Sequence, residues 1–170
     1  SLPITENDKL FNRSILINPD GDIISIYDKI HMFDITLKNG ESYKESDFYS
    51  PGSELKITKV LGHSVGHTIC YDLRYPKLYR ALAKKGSQII VVPSAFTHTT
   101  GKAHWHSLIK ARAIENGVFI LAPNQWGVNN EKRVTYGHTL IVDPWGETLA
   151  EAEDGEMIIT AELDLNRVRE

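Results

Sequence analysis

The chain has 170 residues, 41% hydrophobic and 24% charged, with a formal net charge of −3. These proportions fit one globular domain large enough to bury a core, and the even mixing of charge offers no basic stripe for nucleic acid. No apolar run reaches the ~18–20 residues of a membrane helix, and SLPITENDKL has neither the basic nor the apolar region of a secretory leader. With a single cysteine, Cys70, an intrachain disulfide is impossible, so a reducing, cytoplasmic location is expected.

Residues 13–17 (RSILI) and 22–27 (DIISIY) are β-prone runs around NPDG, whose Pro, Asp and Gly suit a tight turn, so a hairpin is expected. A long connection, about His31 to Glu54, carries Phe33, Tyr43, Phe48 and Tyr49, which favours a packed, functional loop. Two strand-like pieces follow from Glu54 to Ile69, broken at LGHSVG. Residues 75–86 (YPKLYRALAKKG) have helical spacing with Gly86 as a stop, and 103–117 (AHWHSLIKARAIENG) form a second helix closed by Gly117. The runs QIIVVP (88–93) and VFILAP (118–123) read as strands buried on both faces. A final pair, Thr139–Val142 and Met157–Leu163, is expected to flank the DPWGE turn. The order indicates an α/β protein with a mixed sheet flanked by helices.

The buried runs end at Cys70, at Pro93-Ser94 and at Pro123-Asn124. Ligands bind beyond the carboxyl ends of strands in such sheets, so Cys70, Ser94 and Asn124 are expected to converge on one pocket. Cys70 reads either as a buried structural thiol or as a nucleophile. A helix starting within a residue or two would stabilise its thiolate, and the Tyr71 N–H would hold an oxyanion. Asp72 and Arg74 read equally as fixing this turn or as a surface ion pair. Lys29 and His31, at the end of the second hairpin strand, point to one face by strand alternation; Lys29 reads either as an oxyanion-stabilising group or as a solvated charge. Glu45 alone reads as an exposed loop carboxylate. His98, His104 and His106 match no common metal-ligand spacing and fit an amphipathic helix better, so no metal is expected.

Four stretches, YDKIHMFD, ESYKESDFYSPG, GHTICYDLRYP and HWHSLIKARAIENGVFILAPNQWG…YGHTLIVDPWG, resemble the carbon–nitrogen hydrolase (nitrilase) superfamily in its own order. PSAFTHTTGKAHW, ARAIE and EKRVTYGHTLIVDPWG are most similar to its deaminated glutathione amidase and omega-amidase-like branch. The resemblance implies a four-layer α-β-β-α sandwich and hydrolysis of non-peptide amide bonds in small carboxylate-bearing substrates, without metal or organic cofactor. Position by position, Cys70 matches the nucleophile, Lys29 the lysine that contacts the oxyanion and delivers a proton, and Glu45 a supporting glutamate. Tyr71, Ser94, Ala95 and Phe96 fall on the pocket wall. The family's general-base glutamate lies upstream of the hairpin; Glu6, in PITENDK, does not match it. Residues 1–170 therefore read as one incomplete domain, the C-terminal two-thirds of the fold, with ELDLNRVRE also short of the usual C-terminal extension. Expected partners are a small amide, further copies of the chain through helices 74–86 and 103–117, and a separate N-terminal segment. Two alternatives stand beside this reading: a catalytically impaired fragment or degenerate homologue serving as an oligomerisation module, and a papain-like hydrolase with His31 or His138 as base.

Overall fold

In the computed structural model, residues 1–36, 40, 42–130 and 133–169 are described; 37–39 and 41 of the long connection, 131–132 of EKRVTYGHTLIVDPWG, and 170 lie outside them. The first 28 residues form an antiparallel meander of β1 (Leu2–Glu6), β2 (Lys9–Ile17) and β3 (Ile23–Asp28). The NPDG turn forms as expected, with Asn18 N–H donating to Asp22 O at 3.0 Å and Gly21 N–H to Asn18 O at 3.1 Å. β1 and the first half of β2 were not foreseen. Their turn is Asn7-Asp8, at φ 50° and 60°, and Asn and Asp reach the left-handed region more readily than other non-glycine residues. Register then sets Arg13 opposite both Leu2 and Asp28. Its guanidinium donates to both Asp28 oxygens, at 2.6 and 2.9 Å, and to Glu6 at 2.6 Å. Glu6 thus serves to pin the meander.

The long connection contains a small hairpin, β4 (Asp34–Thr36) with β5 (Ser42–Lys44), and a 3-10 turn at Glu45–Asp47. Next come β6 (Ile57–Val60) and β7 (His63–His67). The break between them is only Leu61-Gly62, both at positive φ, so most of LGHSVG belongs to β7. A 3-10 turn at Cys70–Arg74 leads into helix α1 (Pro76–Lys84), with proline in its first turn where no N–H is needed. Strand β8 (Ile89–Val91), helix α2 (His98–Asn116) and strand β9 (Phe119–Ala122) follow.

Helix α2 begins five residues before the expected Ala103. THTTG has poor intrinsic helix propensity, but packing overrides it: a Cβ on Gly101 would lie 2.3 Å from the Tyr136 side chain, so only glycine lets this turn close onto that ring. Tyr136 belongs to a second unforeseen hairpin, β10 (Trp126–Asn130) with β11 (Arg133–Tyr136). Strand β12 (Leu140–Val142) follows, but its partner after DPWGE is β13 (Thr148–Glu151), not 157–163, which forms no strand. Asp143 Oδ1 accepts from Trp145 N–H and Glu147 N–H, at 3.0 and 2.8 Å. This tight turn returns the chain at once, and pairing with the nearest residues excludes the later run.

The main sheet has six strands in the order β13-β12-β9-β8-β7-β6, with β7, β8 and β9 parallel and the flanking pairs antiparallel. Side-chain alternation assigns its faces. Gly66 points toward Leu82 of α1 and Ile90. His67 points the other way, reaching Thr58, which in turn bonds Ser25 of β3. Helices α1 and α2 therefore cover one face and the meander the other, as in a helix-sheet-sheet part of the expected sandwich. The core between sheet and helices includes Tyr79, Leu82, Ile90, Trp105 and Ile120. On the outer face of the meander, Ile24 and Ile26 remain 46% and 39% exposed. Among the described residues, no helix is long and apolar enough to cross a membrane.

One buried cation joins the helices to the turn after Cys70. Arg112 of α2, 6% exposed, donates to Leu73 O at 2.9 Å and to Glu115 at 3.0 Å, and lies over the Tyr79 ring. Arg112→Met is expected to cost about 1.5–3 kcal/mol, the range for a hydrogen bond from a charged group. Urea unfolding of the variant checks this.

Candidate active site

The ladder of the parallel strands runs on past their ends. Thr68 N–H donates to Val91 O at 3.1 Å, Cys70 N–H to Pro93 O at 3.0 Å, and Ser94 N–H to Pro123 O at 2.9 Å. This places Cys70, Ser94 and Asn124 side by side, as the strand ends predict; Ser94 and Asn124 also form a bridge. Asn124 fixes the next wall, accepting from Phe96 N–H at 3.0 Å and donating to Gly137 O at 2.6 Å.

Cys70 sits at φ 48°, a left-handed conformation costly for a residue with a Cβ and held only when its surroundings over-determine it. The chain turns there into a 3-10 segment, and α1 starts only at Pro76. The expected helix dipole at the thiol is thus absent, and the electrostatics differ accordingly. Burial pushes the Cys70 thiol up, and the Lys29 ammonium and the Ala95 backbone pull it back without cancelling that rise.

Lys29, 2% exposed, follows the end of β3. Its ammonium forms an ion pair with Glu45 Oε2. That same oxygen accepts from Phe33 N–H at 2.7 Å, and Asn12 of β2 donates to Oε1 at 3.3 Å. Glu45 is therefore tied down by three donors rather than loose in a loop. Gly52 makes the approach possible: its N–H donates to Lys29 O at 2.8 Å, and a Cβ there would strike Asp28 O at 2.2 Å. Lys29, Glu45 and Cys70 line one cavity of about 760 Å³, together with Tyr71, Ser94, Ala95 and Phe96. All seven residues chosen from the sequence thus meet at one place. Lys44 and Arg133 add positive charge to the wall, Arg133 donating to Ala95 O at 3.4 Å.

Residues 2–170 match the family described as carbon-nitrogen hydrolase. The chain belongs to the carbon–nitrogen hydrolases. It is 44% identical to a probable hydrolase nit2 of Schizosaccharomyces pombe, over 98% of this chain and 62% of that protein. It is 40% identical to a deaminated glutathione amidase of a Synechocystis strain, over 97% of this chain and 61% of the relative. The crystal structure of Saccharomyces cerevisiae Nit3, a member of branch 10 of the nitrilase superfamily, superposes with a TM-score of 0.85 at 37% identity, covering 95% of this chain and 56% of that one. The chain thus spans about three-fifths of the length of these curated relatives.

Within this carbon–nitrogen hydrolase, one residue of the elbow has a larger part than its spacing suggested. Asp72 is fully buried, so its surface-ion-pair reading is wrong. Its carboxylate accepts from Tyr27 OH at 2.7 Å, Ile69 N–H at 2.9 Å and His31 N–H at 3.0 Å, and pairs with His31 Nδ1 at 2.7 Å. Burial and the adjacent Asp72 charge both push the Tyr27 phenol up, so the hydroxyl stays a donor. His31 stacks on Tyr75 with ring centroids 3.5 Å apart. Lys29 and His31 do not share a strand face, because β3 ends at Asp28; one reaches Glu45 and the other Asp72. Neither His31 nor His138 lines the cavity, so the geometry gives no support to a histidine base for Cys70. Arg74 turns to His104 at 3.2 Å, His106 to Glu151, and His98 to the Tyr136 ring, so these three histidines take different polar partners. Asn12 and Arg112 escaped the sequence reading, and Asp72 was read only as fixing its own turn or as a surface ion pair; NPDG-type turns carry a local code, whereas these residues take their wider roles from partners tens of residues away.

Two outcomes follow from this geometry. Asp72→Asn places amide hydrogens against existing donors and is expected to destabilise by at least about 1–3 kcal/mol, measured by chemical denaturation. Because burial holds the thiol up and Lys29 opposes it, alkylation of Cys70 by iodoacetamide is expected to show a midpoint pH above that of a free cysteine. Lys29→Met should move the midpoint higher still, which rate measurements across pH would reveal.

Proposed function

We propose that this chain carries the nucleophile, oxyanion contact and supporting carboxylate of an amidase that hydrolyses small carboxylate-bearing amides through a cysteine thioester. The observation that carries the reading is Cys70 held on a left-handed elbow in the same cavity as the buried Lys29–Glu45 ion pair. The likeness to a deaminated glutathione amidase and to an omega-amidase of Saccharomyces cerevisiae supports the reaction class, and Lys44 and Arg133 on the wall offer charge for a substrate carboxylate.

In this reading the Cys70 thiol gives its proton to the general-base carboxylate that the family resemblance implies, Sγ attacks the amide carbon, and the carbonyl π pair moves to oxygen. The Lys29 ammonium and the Tyr71 N–H stabilise that oxyanion. On collapse the C–N bond breaks, the base returns the proton to the nitrogen, which leaves as ammonia or amine, and a thioester remains on Cys70. Water then adds to the thioester carbon, and the carboxylic acid departs with restoration of the thiol. Glu45 positions Lys29. Engaged by Lys29, Asn12 and Phe33 N–H, it is poorly placed to take the thiol proton. The base that the family resemblance calls for lies N-terminal to these residues. A reducing compartment and self-association through α1 and α2 belong to the same reading, since a thiol nucleophile must stay unoxidised.

Ammonia release from a panel of amides of small dicarboxylic acids tests the proposal, with the chain alone and with an N-terminal segment of a relative supplied. The supplemented reaction is expected to be faster by about a hundredfold or more, the scale of a general base. Lys29→Ala should lower it by about 10²–10³, as for loss of an oxyanion donor, and Cys70→Ala should abolish it. Activity that survives in Cys70→Ala would overturn the mechanism.

A further inference from the structure

Outside the cavity, three potential ligands converge where α2 meets strand β13. His106 Nε2 and His138 Nδ1 approach the same oxygen, Glu151 Oε1, at 2.8 and 2.7 Å. All three donor atoms lie within 4.8 Å of one another, and none of these residues lines the cavity. We propose that His106, His138 and Glu151 form a three-donor site for a divalent transition-metal ion of borderline softness, with zinc as the representative probe.

Ligand chemistry and anchoring support this assignment. Two imidazoles and a carboxylate suit zinc-like ions and are a poor set for calcium or magnesium, which prefer all-oxygen sites. A tetrahedral zinc with bonds of ~2.0–2.2 Å holds its ligands ~3.3 Å apart. The two contacts to Glu151 are already shorter than that, so side-chain rotation of about an ångström admits an ion. Each donor rides on a separate, well-held element. His106 neighbours the fully buried Trp105 in α2. His138 adopts a left-handed φ of 56°, and its carbonyl accepts from Trp105 Nε1 at 2.7 Å. Glu151 is in register opposite Leu140 on β12, and Ala152 N–H donates to Thr139 O at 2.9 Å to close that ladder. The Tyr136 ring stacks on His138 at 4.4 Å and meets His106 edge-on at 6.0 Å, which orients both imidazoles. The side chains are about a third exposed, so an ion can enter and water can complete its shell. A bound ion would clamp α2 to the edge strand β13.

The test is calorimetric titration of the chain with zinc chloride, in a Cys70→Ala background so that the thiol does not compete. One saturable site per chain is expected. Glu151→Gln, His106→Gln and His138→Asn, the last chosen because asparagine tolerates the left-handed backbone, should each weaken it about tenfold or more. Thermal unfolding should rise with zinc in the Cys70→Ala chain and not in the triple variant, with circular dichroism confirming that each variant folds. Absence of saturable binding, or binding unchanged in both Glu151→Gln and His106→Gln, would overturn the site. Neither readout depends on amidase activity, so the two proposals stand or fall separately.

Discussion

The buried carboxylate of Asp72 is the constraint on which the site depends. A charge taken wholly out of water is tolerated only when its lone pairs are satisfied, and the donors here come from three parts of the chain: Tyr27 at the end of β3, His31 in the long connection, and Ile69 before the elbow. Satisfying that one group therefore fixes the meander against the main sheet. It also fixes the path of the chain through Cys70, whose left-handed conformation needs such support. Arg112 anchors the other end of the same turn through Leu73 O.

That scaffold explains how an apolar strand end and an ion pair come to share a cavity. The parallel ladder of β7, β8 and β9 delivers Cys70, Ser94 and Asn124 to one edge, while the meander and the Glu45 turn deliver Lys29 and its partner from the opposite side. The two sides act on the thiol in opposite senses. Burial favours the protonated form and the lysine charge favours the thiolate. Glu45 is held by three donors on the lysine's side of the cavity.

The family relationship and the exposed surface are consistent in physical terms. The matched relatives are longer than this chain, and the outer face of the meander carries isoleucines open to solvent. Apolar side chains clustered on a sheet face gain free energy from any layer that covers them. Helices α1 and α2 already provide that cover on the opposite side of the main sheet.

Much of the fold was legible in the sequence, because local codes are short-ranged. Period-2 and period-3.6 apolar patterns, Pro at the start of α1, Gly86 and Gly117 at helix ends, and the NPDG and DPWGE turns all act within a few residues. The same locality led to the misses. Asn7-Asp8 has a weaker turn code than a glycine pair, THTTG joins α2 only because Gly101 meets Tyr136, and Met157–Leu163 has strand composition but lost its place to the nearer β13. By itself the sequence determined the mixed α/β class and the family motifs, and it singled out the side chains that line the cavity, since these reside in local spacing and residue type. Only the tertiary structure decided that Asp72 is a buried hub, that Glu45 is held by Asn12 and Phe33, and that His106 meets His138 and Glu151. Those pairings join residues 12 to 45 positions apart, and the sheet register, which no local pattern encodes, brings them within hydrogen-bond reach.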